Sequence, residues 1–215
     1  MKISKFSFIG CIEIKELLSE RADDELSLLE HIEEASLDCI YYHTHSYFLR
    51  HYYLAGTYPN DFANWVAIQV RDRVLGEKLA SVTPYGFKSL EDLRVELVDI
   101  IDKHLSSIGI IPRVVYGEFF YFMKSRIIEV PIGVEAVNFQ EFRNALKTID
   151  ASSIYYHIFE SRLRNKRGSS DFSIWLKNSL GLNVLAEQIE SIDCYMYSLE
   201  DLRSKLINLC NQVEK

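Results

Sequence analysis

From Lys5 to Ile14 apolar and polar positions alternate, with Phe6, Phe8, Gly10, Ile12 and Ile14 on one side, the period of a half-buried strand. The spacing then changes to three and four. Asp23 or Asp24 can cap a helix carrying Leu28, Leu29 and Ile32, and Ser36 or Asp38 can cap the next, which opens with Ile40-Tyr41-Tyr42-His43. Pro59-Asn60-Asp61 stops that helix and caps another bearing Phe62 and Trp65. Val74 to Val82 is helical in spacing, and a last helix starts at Ser89. The order then begins again. Glu118 to Val130 reads as a strand ending at Pro131, Asn138 caps a helix with Phe142 and Leu146, and Asp150 or Ser152 precedes Ile154-Tyr155-Tyr156-His157. Ser169-Ser170-Asp171, the helical stretch Val184 to Ile192 and a start at Ser198 complete it. The pattern predicts one strand and about five helical segments, twice over: a mainly α fold with a small β component (α+β).

The likeness extends to residue identity. Phe6-Ser7-Phe8 aligns with Phe120-Tyr121-Phe122 at an offset of 114, which runs without a gap to Leu49-Arg50 and Leu163-Arg164. The second series loses four residues before Asp171, and Ser-Leu-Glu-Asp-Leu-Arg is identical at 89–94 and 198–203. Such self-similarity is the mark of an internal duplication. We expect two tandem units, 1–110 and 111–215, related by a pseudo-twofold axis. They are expected to pack as one compact body, because Ile108, Ile110 and Ile111 in the connector favour burial.

On a helical wheel Ile40, Tyr41, Thr44, Phe48 and Tyr52 form a buried face, while His43, Ser46, Tyr47 and Arg50 form a polar one. The second series keeps His157 and Arg164 in the same places. One reading is that each His and Arg fastens its helix to the following loop, for example His43 to Asp61. The other is that the stripes line a cleft, with each His held neutral by a nearby helix N-terminus. The candidate ligand-binding residues are Arg164, Arg50, His157, His43, Tyr42, Tyr156, Asp61 and Asp171. Phe62 with Trp65, and Phe172 with Trp175, read as core at helical spacing, with an aromatic floor to a sugar site as the alternative.

His43, His45 and His51, followed by Asp61, invite a metal reading, but they point in different directions around a helix, and His45 and His51 become Phe159 and Asn165 in the second series. No metal site and no cofactor is expected. Cys11, Cys39, Cys194 and Cys210 are far apart in sequence and read as buried free thiols. Residues 1–110 hold 11 Lys/Arg against 18 Asp/Glu and so carry all of the net charge of −7, which argues against nucleic-acid binding. A basic cluster, Arg162, Arg164, Lys166 and Arg167, reads as a solvated helix end before it reads as an anion site. No apolar run reaches the roughly 18 residues of a membrane span, and no secretory signal opens the chain, so a cytoplasmic protein is expected. Phosphate-binding loops, nucleophile elbows, His-Glu-x-x-His and dinucleotide glycine patterns are missing from the sequence.

Ile-Tyr-Tyr-His-Thr-His at 40–45, Asn-Asp-Phe-Ala-Asn-Trp-Val at 60–66 and Leu-Gly-Glu-Lys-Leu-Ala at 75–80 resemble a family of uncharacterised prokaryotic proteins classed as a domain of unknown function. The resemblance implies a stand-alone cytoplasmic protein or module, associated in some cases with glycosyltransferases, and transfers no catalytic residue. The expectation is a non-catalytic binding or accessory module for a small polar or anionic ligand, a sugar phosphate among them, or for a partner protein. The alternative is an enzyme on phosphorylated or glycosyl substrates with His43 or His157 and Asp61 or Asp171 as acid–base pairs.

Overall fold

The structure is a computed structural model that describes residues 4–51, 58–164 and 168–213. It is mainly α with a small β part. Strand β1 (Phe6–Ala22) is followed by α1 (Glu25–Glu34), α2 (Leu37–Thr44) and α3 (Tyr47–Arg50). Next come α4 (Asp61–Trp65), which widens into a π-helical turn (Val66–Val70), then α5 (Arg73–Ala80) and α6 (Leu90–Ser107). The second series has β2 (Phe120–Ala136), α7 (Phe139–Leu146), and α8 (Ala151–Tyr155) running through a π turn (Tyr156–Glu160) into α9 (Ser161–Arg164). It closes with α10 (Asp171–Leu180), α11 (Asn183–Glu190) and α12 (Leu199–Gln212).

β1 and β2 form a two-stranded sheet. Ion pairs between Lys5 and Glu135 and between Glu16 and Lys124 show that they run antiparallel. Both strands are longer than the alternation predicted, and β2 continues through Pro131. In a two-stranded sheet each strand keeps one unpaired edge, where a residue without an N–H is tolerated.

The contacts divide the chain into two compact units whose membership crosses the sequence series. One joins the residues before Glu13 to those from Ile127 onward; the other holds Glu13–Arg50 and the chain up to Arg126. Each strand is thus shared, and its first residues serve the helices of the other series. In the second unit Phe120 and Phe122 enter the core of Leu28, Ile32, Ile40, Phe62 and Trp65. In the first unit Phe6 packs edge-on to Phe142 and Trp175, and Phe8 stacks on Phe142.

Helix starts follow local chemistry. Asp24, Asn60, Ser89, Asn138, Ser170 and Ser198 each accept a backbone N–H of the first turn through the side chain. The identical hexapeptides do identical work. Arg94 donates to the Glu33 and Ala35 carbonyls at the end of α1, and Arg203 to those of Leu146 and Ile149 after α7, satisfying acceptors a helix end leaves open.

Two expectations are corrected. The connector is not held by apolar burial: Ile110 is 85% exposed and Ile111 42%. Backbone bonds from Glu25 N to the Pro112 carbonyl (3.2 Å) and from Val114 N to the Asp23 carbonyl (2.8 Å) tie it down instead, with an Arg113–Asp23 ion pair. Nor is the Ile-Tyr-Tyr-His segment a two-faced helix. Cys39 to Phe48 is buried throughout, and α2 stops at Thr44. Thr44 Oγ1 donates to the Ile40 carbonyl and Ser46 Oγ to that of Tyr42, side-chain bonds to the preceding turn that bend a helix. Tyr52 lies outside the described residues.

Candidate functional site

In the unit containing Glu13–Arg50, His43 sits in the last turn of α2, 3% exposed. Its Nε2 accepts the backbone N–H of Met123 in β2 (3.0 Å), so the ring proton is on Nδ1, which donates to Asp61 Oδ2 at 2.9 Å. The same carboxylate oxygen accepts from Arg50. Arg50 also donates to the Tyr42 carbonyl (2.9 Å) and Ser46 Oγ (2.8 Å), and its guanidinium lies 3.9 Å from the Tyr42 ring centre. Glu13 of β1 lies 3.8 Å from Arg50, with a side chain only 5% exposed.

The other unit repeats the arrangement. His157 Nε2 accepts from Ile9 N of β1 (2.9 Å), and Nδ1 donates to Asp171 Oδ2 (2.9 Å), which also accepts from Arg164 at 2.7 Å. Arg164 lies 4.4 Å from the Tyr156 ring centre, and the Tyr156 hydroxyl donates to Glu129 (2.5 Å). Ile9 and Met123 are separated by the repeat offset, as are Ser4 and Glu118, whose carbonyls accept from Trp175 and Trp65 Nε1 at 2.7 and 2.8 Å. Helices of each series therefore grip the start of the other series' strand by the same bonds.

The electrostatics follow. Burial pulls the pKa of His43 and of His157 below the ordinary histidine value, more than Asp61 and Asp171 restore. Burial is the largest cause that keeps both rings neutral, and within its own helix His43 lies in the last turn and not near the start. Burial acts to raise the Asp171 carboxyl, but His157 and Arg164 together hold it below the usual range. Burial also raises the Tyr42 and Tyr156 hydroxyls, so both stay protonated at neutral pH.

All eight sequence-marked residues fall into these two clusters, four in each. Both nitrogens of each imidazole are engaged in protein hydrogen bonds, which leaves neither ring a lone pair for a substrate proton. The arginines differ: the Arg50 side chain is 13% exposed and bonds three partners, whereas Arg164 is 41% exposed and Asp171 is its hydrogen-bond partner among the described residues. Sequence reading missed Glu13 and Glu129. Each sits on a strand whose pattern shows alternation, not the helix that the strand faces. A cavity in the second unit, lined by Leu18, Glu20, His31, Glu34, Cys39 and Lys124, contains none of the marked residues. Lys166 and Arg167 of the basic cluster lie outside the described residues. No helix among the described residues is long and apolar enough to cross a membrane.

A model of a family of unknown function (DUF5752) matches residues 3–211. Among solved structures, the chain is similar to one described as the structure of OrfY from Thermoproteus tenax. The two are 26% identical with a TM-score of 0.80, over 97% of this chain and 95% of that one. No curated protein matches the chain.

Proposed function

The chain belongs to that family of unknown function, and we propose that it is a non-catalytic binding module for a small anionic ligand, with Arg164 as its principal contact. The observation that carries this reading is the difference between the two arginines. An Arg fork has five N–H donors; Arg164 commits a bond to Asp171, keeps its plane set by Tyr156, and stands open to solvent. Arg162, two residues away on the opposite side of α9, has Nε and Nη2 groups that are buried without a hydrogen-bond partner and belongs to the interior, not to this surface. A phosphate or carboxylate matches the open Arg164 fork, and a sugar phosphate is the ligand class we favour. The closed hydrogen bonding of His43 and His157 weighs against the acid–base enzyme reading. In a reducing cytoplasm the free, buried Cys11, Cys39, Cys194 and Cys210 would persist as thiols. We read the two matching series as an internal duplication in a prokaryotic protein. A partner protein is the second reading, favoured by exposed Ile110, Val115 and Tyr116 in the connector.

Calorimetric titration with glucose 6-phosphate and with inorganic phosphate tests the first reading. Arg164→Ala is expected to weaken binding at least about tenfold, a loss of roughly 1.4 kcal/mol, with a melting temperature near that of the parent. His157→Ala is expected to lower the melting temperature. An Arg164→Ala protein that binds normally while being the less stable of the two overturns the assignment.

A further inference from the structure

Away from these clusters, Glu25 is the side chain hardest to explain as packing. It is the first residue of α1, fully buried, and neither carboxylate oxygen has a hydrogen-bond partner. A buried carboxylate without a partner is among the most costly groups a protein can carry. Its Oε2 faces His104 Nε2 of α6 at 3.8 Å. His104 Nε2 is 2.8 Å from Oδ2 of Asp72, whose Oδ1 caps α5 by accepting Leu75 N (2.9 Å). One ligand atom from each of the three residues lies within 4.8 Å of the others.

We propose that Glu25, Asp72 and His104 hold one divalent transition-metal ion, zinc by preference. One imidazole nitrogen and two carboxylate oxygens form a borderline donor set that suits zinc and disfavours the all-oxygen cations. The two separations of 2.8 and 3.8 Å bracket the roughly 3.4 Å between neighbouring ligands of a tetrahedral ion with metal–ligand distances of about 2.0–2.2 Å. Asp72, whose side chain is 16% exposed, provides the edge by which water enters. The series comparison separates ligand from scaffold: the positions equivalent to Glu25, Asp72 and His104 are Phe139, Leu182 and Val213, so the same helices are built elsewhere in the chain without a polar group there. All three residues belong to the first 110, which carry the whole net negative charge. Lys78 Nζ lies 3.5 Å from His104 Nδ1. When the metal takes Nε2, the single ring proton moves through solvent from Nε2 to Nδ1, and the exposed Lys78 side chain, which donates to Nδ1, swings aside. The ion joins α1, α5 and α6 next to the point where Glu25 N bonds the Pro112 carbonyl.

The experiment uses the full chain without an affinity tag, stripped with a chelator and titrated with zinc chloride against a chromophoric zinc indicator. Thermal melts are run with and without the metal. One zinc per chain is expected, with a rise in melting temperature. His104→Val and Asp72→Leu, which install the residues of the second series, are expected to weaken binding more than about 100-fold, since altering even outer-shell partners of metal ligands loses 10–100-fold. Glu25→Gln, nearly isosteric, guards against a folding defect in the other two: circular dichroism reports its fold, and its zinc affinity should fall likewise. Zinc that binds but is unaffected by all three substitutions, or no zinc-dependent rise in the melt, overturns the proposal. A magnesium effect equal to that of zinc overturns the transition-metal assignment.

Discussion

His45 shows how burial alone sets a titration. Its ring stacks on Tyr41 at 5.6 Å, Nδ1 meets Thr44 Oγ1 at 3.0 Å, and Nε2 is buried with no hydrogen-bond partner. Burial lowers its pKa to about 3. The folded state therefore refuses a proton that the unfolded chain accepts below the ordinary histidine value of about 6.5. Stability is full above that pH and falls below it by about 1.4 kcal/mol per unit for each such histidine. His43 and His157 act with the same sign. Phe159 occupies the equivalent position and keeps the stack on Tyr155 at 5.5 Å, so His45→Phe preserves the shape. Urea melts at pH 7.0 and 5.5 are expected to show a gap about 1 kcal/mol smaller in His45→Phe than in the parent. An unchanged gap means the ring is not the proton acceptor. For His157→Ala, which strands Ile9 N and takes one donor from Asp171, a loss of about 1–3 kcal/mol at pH 7 is expected in the same melts.

At the scale of elements, the Asp-Phe-x-x-Trp segments act as anchors. Trp65 and Trp175 are 5% and 6% exposed, and each indole N–H bonds a carbonyl just before a strand. Trp65→Ala and Trp175→Ala are each expected to lose about 3–5 kcal/mol in denaturant melts. Trp175→Phe retains most of the packing and leaves the Ser4 carbonyl unpaired, for about 1 kcal/mol. Near-parental stability in the alanine variants, with ligand binding lost, would reassign the rings to a site. Arg71 ends the π turn after α4 in the left-handed region (φ 69°), where the second series has Gly181 at the same φ. Only glycine takes that conformation without strain, and the strained Arg71 immediately precedes Asp72 of the Glu25 cluster.

For the whole molecule the shared strands set the folding unit. The core that Leu28, Ile40, Phe62 and Trp65 build is closed by Phe120 and Phe122, and His43 is tied to Met123. A fragment of residues 1–110 lacks all three closing residues, whereas 13–126 contains them. Circular dichroism melts of the two purified fragments are expected to give a cooperative transition for 13–126 and none for 1–110. A cooperative melt of 1–110 would mean that the helices of one series close their core without the other's strand.

Local chemistry was legible before any coordinates. Alternation marked the strands, caps at Asp23 or Asp24, within Pro59-Asn60-Asp61 and Ser169-Ser170-Asp171, and at Ser89, Asn138 and Ser198 marked helix starts, and the recurrence of His, Asp and Arg at fixed spacing singled out both clusters, with His43 to Asp61 as one pairing it offered. Each of these depends on residues within about 20 positions of one another. What needed the tertiary structure is whatever depends on distant partners. Met123 satisfies His43 and Ile9 satisfies His157 because strands pair by backbone geometry that leaves no mark on side-chain identity. Glu25, Asp72 and His104 stand alone in the first series, so repetition could not flag them, and helical spacing cannot relate residues on three different helices. Burial decided the rest: it turned a polar helix stripe into an interior hydrogen-bond network, and it left Arg164 open where the equivalent Arg50 is enclosed.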